Sequence, residues 1–450
     1  MIRLAILEET ARAIKDYLLR GDGLEHGAFC LVREGKGHGG IRLLVGEVLL
    51  PPPDAWEYQG PGILRPSARW VSAAISHAIG ARSGLLFVHS HPDPGYPLGL
   101  SPQDVASFHS LAETIAPMLS GHFTAAVVHP QGWAGVLWSG NQIVPIDCIV
   151  SAGRTLCFLS PIRELESSAL DTRQRDALGV VHDQVGNLTV GVVGVGGIGS
   201  PIAEQLVRMG VAEVVLLDHD LLDTDSNVRR MFGARIADLH TRNPKVSVMC
   251  RHLKGIGLNV RIRALKGDVR TEAAFRHLLD ADIVFSATDT HGSRAILNEL
   301  ASTYLLPVVD VGVRVSAKTD NRLSGLVAEV RVLTPTTPCL WCRRTINADV
   351  IRSENLSAEE RRHLERENYV VSGVGKPAPS VVPLTVLGSG LATSALLALL
   401  SEEGEVAPSG YWVDGFFGDS HVSGPDQPRP DCRCRQQLGL GDFAAPPFMP

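Results

Sequence analysis

The chain has 450 residues, room for about two or three domains that each bury a core. With 44% hydrophobic and 20% charged residues it has the composition of an ordinary globular protein, which excludes wholesale disorder and a fibre. A formal net charge of −6 with no long Lys/Arg run excludes a bulk basic field for nucleic acid.

No apolar run reaches the roughly 20 residues that span a bilayer, and residues 1–20 lack the layout of a signal peptide. A cytoplasmic protein with no membrane partner is expected. Four of the eight cysteines fall in two close pairs, Cys339/Cys342 and Cys432/Cys434. In a reducing compartment that pattern suggests a metal rather than a disulfide. Cys30, Cys148, Cys157 and Cys250 lie in or beside apolar runs and read as core residues.

Residues 1–148 read as a separate α/β unit. The stretch LAILEETARAIKDYLLR has apolar spacing near 3.6 and predicts a helix, as does Trp70 to Arg82. AFCLV, IRLLVGEVLL, LLFVHS, TAAVVH and AGVLWS alternate or run apolar and predict strands. His89 and His91, two apart at a strand end, point to the same side. Asp104 opens a helix capped by Ser101 and completes three ligands, leaving a fourth tetrahedral position for water. That is a catalytic zinc pattern. Glu25, just before a strand, is placed to act as general base on the water.

The set of Glu25, His89-Ser90-His91-Pro92 and Ser101-Pro102-Gln103-Asp104 resembles the JAMM (MPN/JAB) metalloproteases over about the first 140 residues. Those enzymes cleave isopeptide or peptide bonds after ubiquitin-like C-termini. The resemblance implies zinc on His89, His91 and Asp104, water activation by Glu25, and an oxyanion-stabilising role for Ser101. A longer Pro/Gly-rich loop, residues 92–100, departs from the family pattern.

Residues 149–187 read as a linker and an N-terminal helix, with helical character expected from Arg163 to Arg175. Then comes TVGVVGVGGIGSPIAEQLVRM, residues 189–209: an apolar β-branched run, a turn with Gly194, Gly196, Gly197 and Gly199, and an amphipathic segment. Such a strand, loop and helix present backbone N–H groups and a helix N-terminus to phosphates, and alone suit NAD, FAD or ATP. A second strand, Ala212 to Leu217, ends at Asp218, where a carboxylate can hold ribose hydroxyls. Asp218-His219-Asp220, Asn227 with Arg230, and Asn243-Pro244-Lys245 follow in close order, which suits a triphosphate and an acyl phosphate better than a nicotinamide. A third strand, Ile283 to Ala287, leads to Asp289, well placed to hold Mg²⁺.

Together these motifs resemble the ThiF/MoeB/ubiquitin-activating family over about residues 165–440. The resemblance implies ATP-dependent adenylation of the C-terminal glycine of a ubiquitin-like or sulfur-carrier protein. It implies phosphate contacts from Gly194, Gly196, Gly197, Asn227, Arg230 and Lys245, ribose held at Asp218 beside Asp220, and Mg²⁺ on Asp289. Arg173 matches an arginine that reaches into a partner subunit's site.

Cys339, Cys342, Cys432 and Cys434 supply four thiolates for one closed, structural zinc, although the second pair is CxC where the family has CxxC. Residues 343–378, with Glu/Arg-rich helix character over 357–368, are expected to cross over the bound C-terminus. No cysteine lies between Cys342 and Cys432, so the adenylate must pass to a conjugating enzyme, a sulfurtransferase, or a hydroxyl such as Ser372. The apolar stretch Leu384 to Leu400 predicts a buried helix at a homodimer interface.

The expected architecture is α/β throughout: a JAB/MPN-type domain (1–148), then a doubly wound Rossmann-like ATP-binding domain (188–440) and a short tail (441–450). The expected function is bifunctional, a zinc-dependent (iso)peptidase that processes or removes a ubiquitin-like protein and an adenylating site that activates it. Such fusions resemble those of bacterial ubiquitin-like conjugation operons. The alternatives are an activator of a sulfur carrier for cofactor or metabolite thiolation, an interaction scaffold, and a nicotinamide oxidoreductase.

Overall fold

The computed structural model describes residues 1–166, 168–317, 322–366, 379–401, 410–415, 418, 420–422 and 427–444. They fall into two compact units. One comprises Met1–Ile162 with Thr303–Leu305 and residues 437–444; the other takes the rest of the described chain.

The first unit begins with β1 (Ile2–Leu7), α1 (Glu8–Leu18), β2 (Gly27–Lys36) and β3 (Ile41–Leu49). A hairpin of β4 (Trp56–Gly60) and β5 (Ile63–Pro66) leads into α2 (Ala68–Gly80) and β6 (Gly84–Ser90). After α3 (Pro102–Ile115) come β7 (Phe123–His129), β8 (Gly132–Ser139), β9 (Gln142–Pro145), β10 (Cys148–Ala152) and β11 (Leu156–Phe158). Nine strands form one sheet in the order β11-β10-β1-β3-β2-β6-β7-β8-β9.

Period-two alternation divides its side chains between two cores. Leu4, Ile6, Cys30, Val32, Leu43, Leu86 and Val88 face α1, which buries Ala11, Ile14 and Leu18 at helical spacing. On the other face Phe29, Leu31, Leu85, Phe123 and Ala125 meet Trp70, Ala74 and Ala78 of α2 and Phe108, Ala112 and Ile115 of α3. Both faces are covered, so the central strands read as near-continuous apolar runs.

Two expectations are corrected here. Residues 2–7 are a strand rather than the first turns of a helix: β1 pairs in parallel with both β3 and β10, and the helix starts only where Glu8 and Glu9 favour its N-terminus. The sheet also runs past residue 148, because Arg3↔Cys148 starts the β1–β10 register and β11 extends it.

The second unit opens with α4 (Thr172–Leu178) and α5 (Val180–Asn187), so helix begins at Thr172 and not at Arg163. Next come β12 (Thr189–Val193), α6 (Gly199–Met209), β13 (Glu213–Asp218), α7 (Asp225–Arg230), α8 (Ile236–Thr241) and α9 (Lys245–Gly255). They are followed by β14 (Arg261–Lys266), α10 (Glu272–Arg276), β15 (Ile283–Ser286), α11 (His291–Thr303), β16 (Val308–Ala317) and β17 (Leu323–Leu333). The chain ends through α12 (Ala348–Glu354), α13 (Ala358–Arg366), α14 (Val382–Leu400), β18 (Gly410–Asp414), β19 (Ser420–Val422) and α15 (Arg433–Gln436).

Its sheet has the order β14-β13-β12-β15-β16-β17-β18-β19, parallel from β14 to β16 and antiparallel beyond. The strand order reverses between β12 and β15, the switch point where doubly wound sheets hold ligands beyond the strand C-termini. β12, β13 and β15 are buried along their whole length, which is why their sequence carries no polar alternation. α6 buries Ile202, Ala203, Leu206 and Val207 and ends on Gly210 in the left-handed region (φ 81°).

α14 is the buried helix that the apolar stretch predicts. Its 19 residues are long and apolar enough to cross a membrane by length and composition alone, yet half of it is buried within the unit, packed on β16, β17 and α6. Thr385, Ser389 and Thr393, spaced by four, form a polar stripe turned inward; Ser389 Oγ donates to Ile198 O (2.9 Å) and Thr393 Oγ1 to Gln205 Oε1 (2.7 Å). Half of the helix is thus committed to this unit's own core.

Candidate functional site

In the first unit one imidazole, His89, is on the end of β6 and a second, His91, lies just past it. His91 N donates to Val128 O (3.0 Å) and Ser90 N to His26 O (2.8 Å), fixing the backbone on both sides of the pair. Ser101 and Asp104 form a reciprocal capping box at the start of α3: Asp104 N donates to Ser101 Oγ (3.1 Å), and Ser101 N donates to Asp104 Oδ2 (2.8 Å). This turns the carboxylate toward the histidines, with His89 Nε2 3.4 Å from Oδ1 and His91 Nε2 3.2 Å from Oδ2.

A tetrahedral zinc with N and O ligands at about 2.05 Å requires ligand separations of about 3.3 Å, so these residues fit such an ion. His89 is buried, and its Nδ1 has no hydrogen-bond partner among the described residues. Burial works against the Asp104 carboxylate, but hydrogen bonds from the two imidazoles and from Ser101 hold it well below the usual carboxylate range. It is therefore ready to ligate as an anion. Glu25 is buried beside the set, and burial pushes its carboxyl up against the pull of His89 and His91. A carboxyl shifted in that sense suits a proton acceptor better than an ordinary surface glutamate does.

In the second unit the glycine loop leaves β12 at the switch point. Gly194 sits at φ 84°, and a Cβ there would stand 2.7 Å from Ala287 O. A Cβ on Gly199 would overlap Gly194 O, so the tight turn needs both glycines. Three other segments converge on the loop. Asp218, at the end of β13, accepts from Val195 N (2.8 Å) through Oδ2 and from Asp220 N (2.8 Å) through Oδ1; burial pushes its carboxyl up. Arg230 lies across from Gly197, with its Cβ 3.5 Å from where a Cβ on that glycine would be. Its guanidinium donates to Asn227 Oδ1 (3.2 Å), and Asn227 is buried.

The first residue of α9, Lys245, pairs with Asp220 (2.6 Å), and its backbone N–H donates to Asp220 O (3.1 Å). Asp289 is exposed in the turn after β15, next to the Ala287–Thr288 backbone that Gly194 packs against. Gly196 O accepts from Ser200 Oγ (2.6 Å), tying the loop to α6. The loop, a carboxylate at the next strand end, and the Arg230 and Lys245 cations fit a nucleotide triphosphate, with Asp289 able to hold a divalent ion. Arg173 is exposed on α4.

Some determinants had little signal in the sequence. Ser389 and Thr385 of α14 touch the loop: Ser389 Oγ bonds Ile198 O, and Thr385 Cγ2 lies 3.5 Å from a Cβ built on Gly197. The spacing by four of Thr385, Ser389 and Thr393 was the available clue. Glu354, at the end of α12, accepts from His291 N and Gly292 N (2.8 Å each) and so holds the start of α11 beside Asp289.

The four paired cysteines come together, all buried. Sγ atoms are 3.6 Å apart for Cys339–Cys342 and Cys339–Cys432, and 3.8 Å for Cys342–Cys434. Zinc–thiolate bonds of about 2.3 Å give tetrahedral edges of about 3.8 Å, so the set fits a closed zinc site. Hydrogen bonds from neighbouring thiols, Cys434 first, bring the Cys339 thiol down to about 5, while burial pushes Cys432 up to about 11. A metal taken up there must release protons. Of the expected crossover segment, 343–366 is described and carries α12 and α13; residues 367–378, with Ser372, lie outside the described residues.

A family model described as the ThiF family matches residues 173–434. Among curated proteins the chain is similar to the sulfur carrier protein ThiS adenylyltransferase of Bacillus subtilis (strain 168), 32% identical over 151 residues, which cover 34% of this chain and 42% of that one. It is 25% identical over 269 residues to ubiquitin-like modifier-activating enzyme 5 of Drosophila willistoni, covering 57% of this chain and 60% of that one. It is also 25% identical over 186 residues to the SAMP-activating enzyme E1 of Haloferax volcanii, covering 40% of this chain and 63% of that one. The chain thus spans less than two thirds of each of these relatives. A crystal structure of E. coli MccB with ATP aligns with a TM-score of 0.45 at 16% identity, covering 61% of this chain and 76% of that one.

Proposed function

We infer, because this chain belongs to the ThiF family, that its second unit uses ATP to adenylate the C-terminal carboxylate of a small carrier protein. The observation that carries the reading is the glycine loop at the switch point, with Arg230 against Gly197 and Asp218 bonded to Val195 N. Attack of a carboxylate on the α-phosphorus brings two anions together and expels pyrophosphate, so cations must offset the repulsion. Arg230 and Lys245 supply them, Asn227 orients Arg230, and Asp218 and Asp220 face the ribose. Asp289 would hold a Mg²⁺ ion, which would offset phosphate charge.

A sulfur carrier is favoured over a ubiquitin-like modifier, since the relative at 32% identity is a sulfur carrier adenylyltransferase. The carrier ends in glycine, and the activated carrier passes to a sulfurtransferase or a conjugating enzyme. A homodimer, with Arg173 reaching the partner's site, and a cytoplasmic location complete the reading; the free cysteines suit a reducing compartment. The test is ATP–pyrophosphate exchange with glycine-terminated carriers. Wild type exchanges label only with a carrier, and Asp289→Ala lowers exchange by about 100-fold or more. A wild-type protein with no carrier-dependent exchange refutes the reading.

The spacing of His89, His91 and Asp104 favours a second activity in the first unit, zinc-dependent hydrolysis of a peptide or isopeptide bond. Zinc supplies a Lewis acid and a water of lowered pKa. Glu25 would accept a proton from the attacking water as its oxygen bonds the carbonyl carbon and would pass that proton to the leaving amine as the C–N bond breaks, and Ser101 would stabilise the oxyanion. Glu25→Gln is expected to keep its zinc and lose carrier cleavage, read by intact mass; cleavage at the wild-type rate removes Glu25 from the reaction.

A further inference from the structure

The zinc-ligand set of the first unit opens onto a cavity of about 150 Å³. Glu25, His89, His91 and Asp104 form one part of its wall, and among the described residues they are its only acidic, basic or imidazole groups. Most of the remainder is apolar. Phe29 and Phe87 come from the sheet, Leu64 from the β4–β5 hairpin, and Phe108 and Leu111 from α3. Phe29 and Phe108 are buried, so this part of the wall is continuous with the core of that face.

A cavity of this volume lined by Leu, Ile and Phe is large enough to take a benzene-sized group, and it disfavours a charged one. A glycine on either side of a bond held at the metal set leaves it unfilled. We propose that the zinc site acts on peptide bonds flanked by an apolar side chain of leucine to phenylalanine size, which fills this cavity while the amide lies against His89, His91, Asp104 and Glu25. The proposal rests on the hydrolase reading of the first unit. For a carrier whose mature end is glycine, that side chain belongs to the residue on the leaving side of the cut, so the substrate is a precursor extended by an apolar residue. An isopeptide-linked lysine is a poorer occupant, because its chain carries no branched or aromatic bulk.

Binding tests this without relying on turnover. The zinc-loaded full chain is titrated calorimetrically with acetohydroxamate and with 3-phenylpropanohydroxamate, which present the same metal-binding group with and without an apolar tail. The phenyl compound is expected to bind at least about tenfold more tightly. Ser107 lines the cavity from an exposed position on α3, so Ser107→Trp fills the space without disturbing the core. That variant is expected to keep the acetohydroxamate affinity and lose the gain. Equal affinities in wild type, or a gain that survives Ser107→Trp, overturn the proposal while leaving the hydrolase reading in place. A chain that binds zinc only at its thiol site and binds neither hydroxamate refutes the hydrolase reading and the proposal together.

Discussion

Asp310 shows how a buried charge holds the turn that carries Asp289. It lies on β16 in register with Ser286, the last residue of β15, and it is fully buried. Arg294 Nε donates to it at 2.8 Å, Arg331 at 3.0 Å and Ser286 Oγ at 3.1 Å. Arg294 belongs to α11, which follows Asp289 directly, so the cluster fastens both sides of the turn. Burial opposes ionisation of Asp310, but the two guanidiniums outweigh it and hold the carboxyl below its usual range.

Because the folded value is depressed, the stabilisation is present above the unfolded value of about 3.9 and is lost as pH falls through the lower folded value. Asp310→Asn leaves two buried cations short of their partner, and at pH 7 it is expected to cost on the order of 3–5 kcal/mol. Denaturant unfolding of wild type and variant at pH 7 and near pH 3 checks this. The gap must narrow at the lower pH, and a gap independent of pH refutes the ionic account. None of this was legible in the sequence, where Asp310 is one polar residue in an apolar run. Asp218 was legible as a strand-end carboxylate, but its grip on Val195 N was not.

At the scale of elements, the start of α3 was the most readable feature, since Ser101 and Asp104 have the spacing of a reciprocal cap. The cap also aims a ligand, and the same Asp104 oxygen receives Ser101 N and faces His91. Ser101→Pro, which the backbone accommodates at φ −67° and which removes both the N–H and the hydroxyl, is therefore expected to cost about 1 kcal/mol of stability and to weaken zinc binding at the His89–His91–Asp104 set. Thermal unfolding read with a zinc competition titration separates the two effects. Unchanged zinc affinity refutes the aiming role. β1 differs from the expected helix because apolar content reports burial, and only the neighbouring strands β3 and β10 decide what does the burying. β14, with its Arg/Ile/Arg alternation, went unread because its charged side chains pair along the sheet edge; Arg261 and Arg263 bond Glu213 on β13.

Across the whole molecule the two metal-ligand sets lie in separate compact units, one with an open position and one closed by four thiolates. Each chain is expected to bind two zinc ions independently. His91→Ala should lose one zinc and carrier cleavage while keeping exchange, and Cys342→Ser should lose the other and lower the unfolding temperature of the second unit. Elemental analysis with calorimetry checks both, and loss of both ions from either variant refutes independence.

By itself the sequence determined which residue types could do chemistry and in what order, because glycine loops, histidine pairs, caps and cysteine pairs are local and carry their spacing with them. Only the tertiary structure decided that Arg230 stands against Gly197, that α14 closes on the loop, and that an apolar cavity opens beside the histidines. Those are contacts between segments far apart in the chain, and their geometry follows from sheet order and packing rather than from the spacing within any one segment.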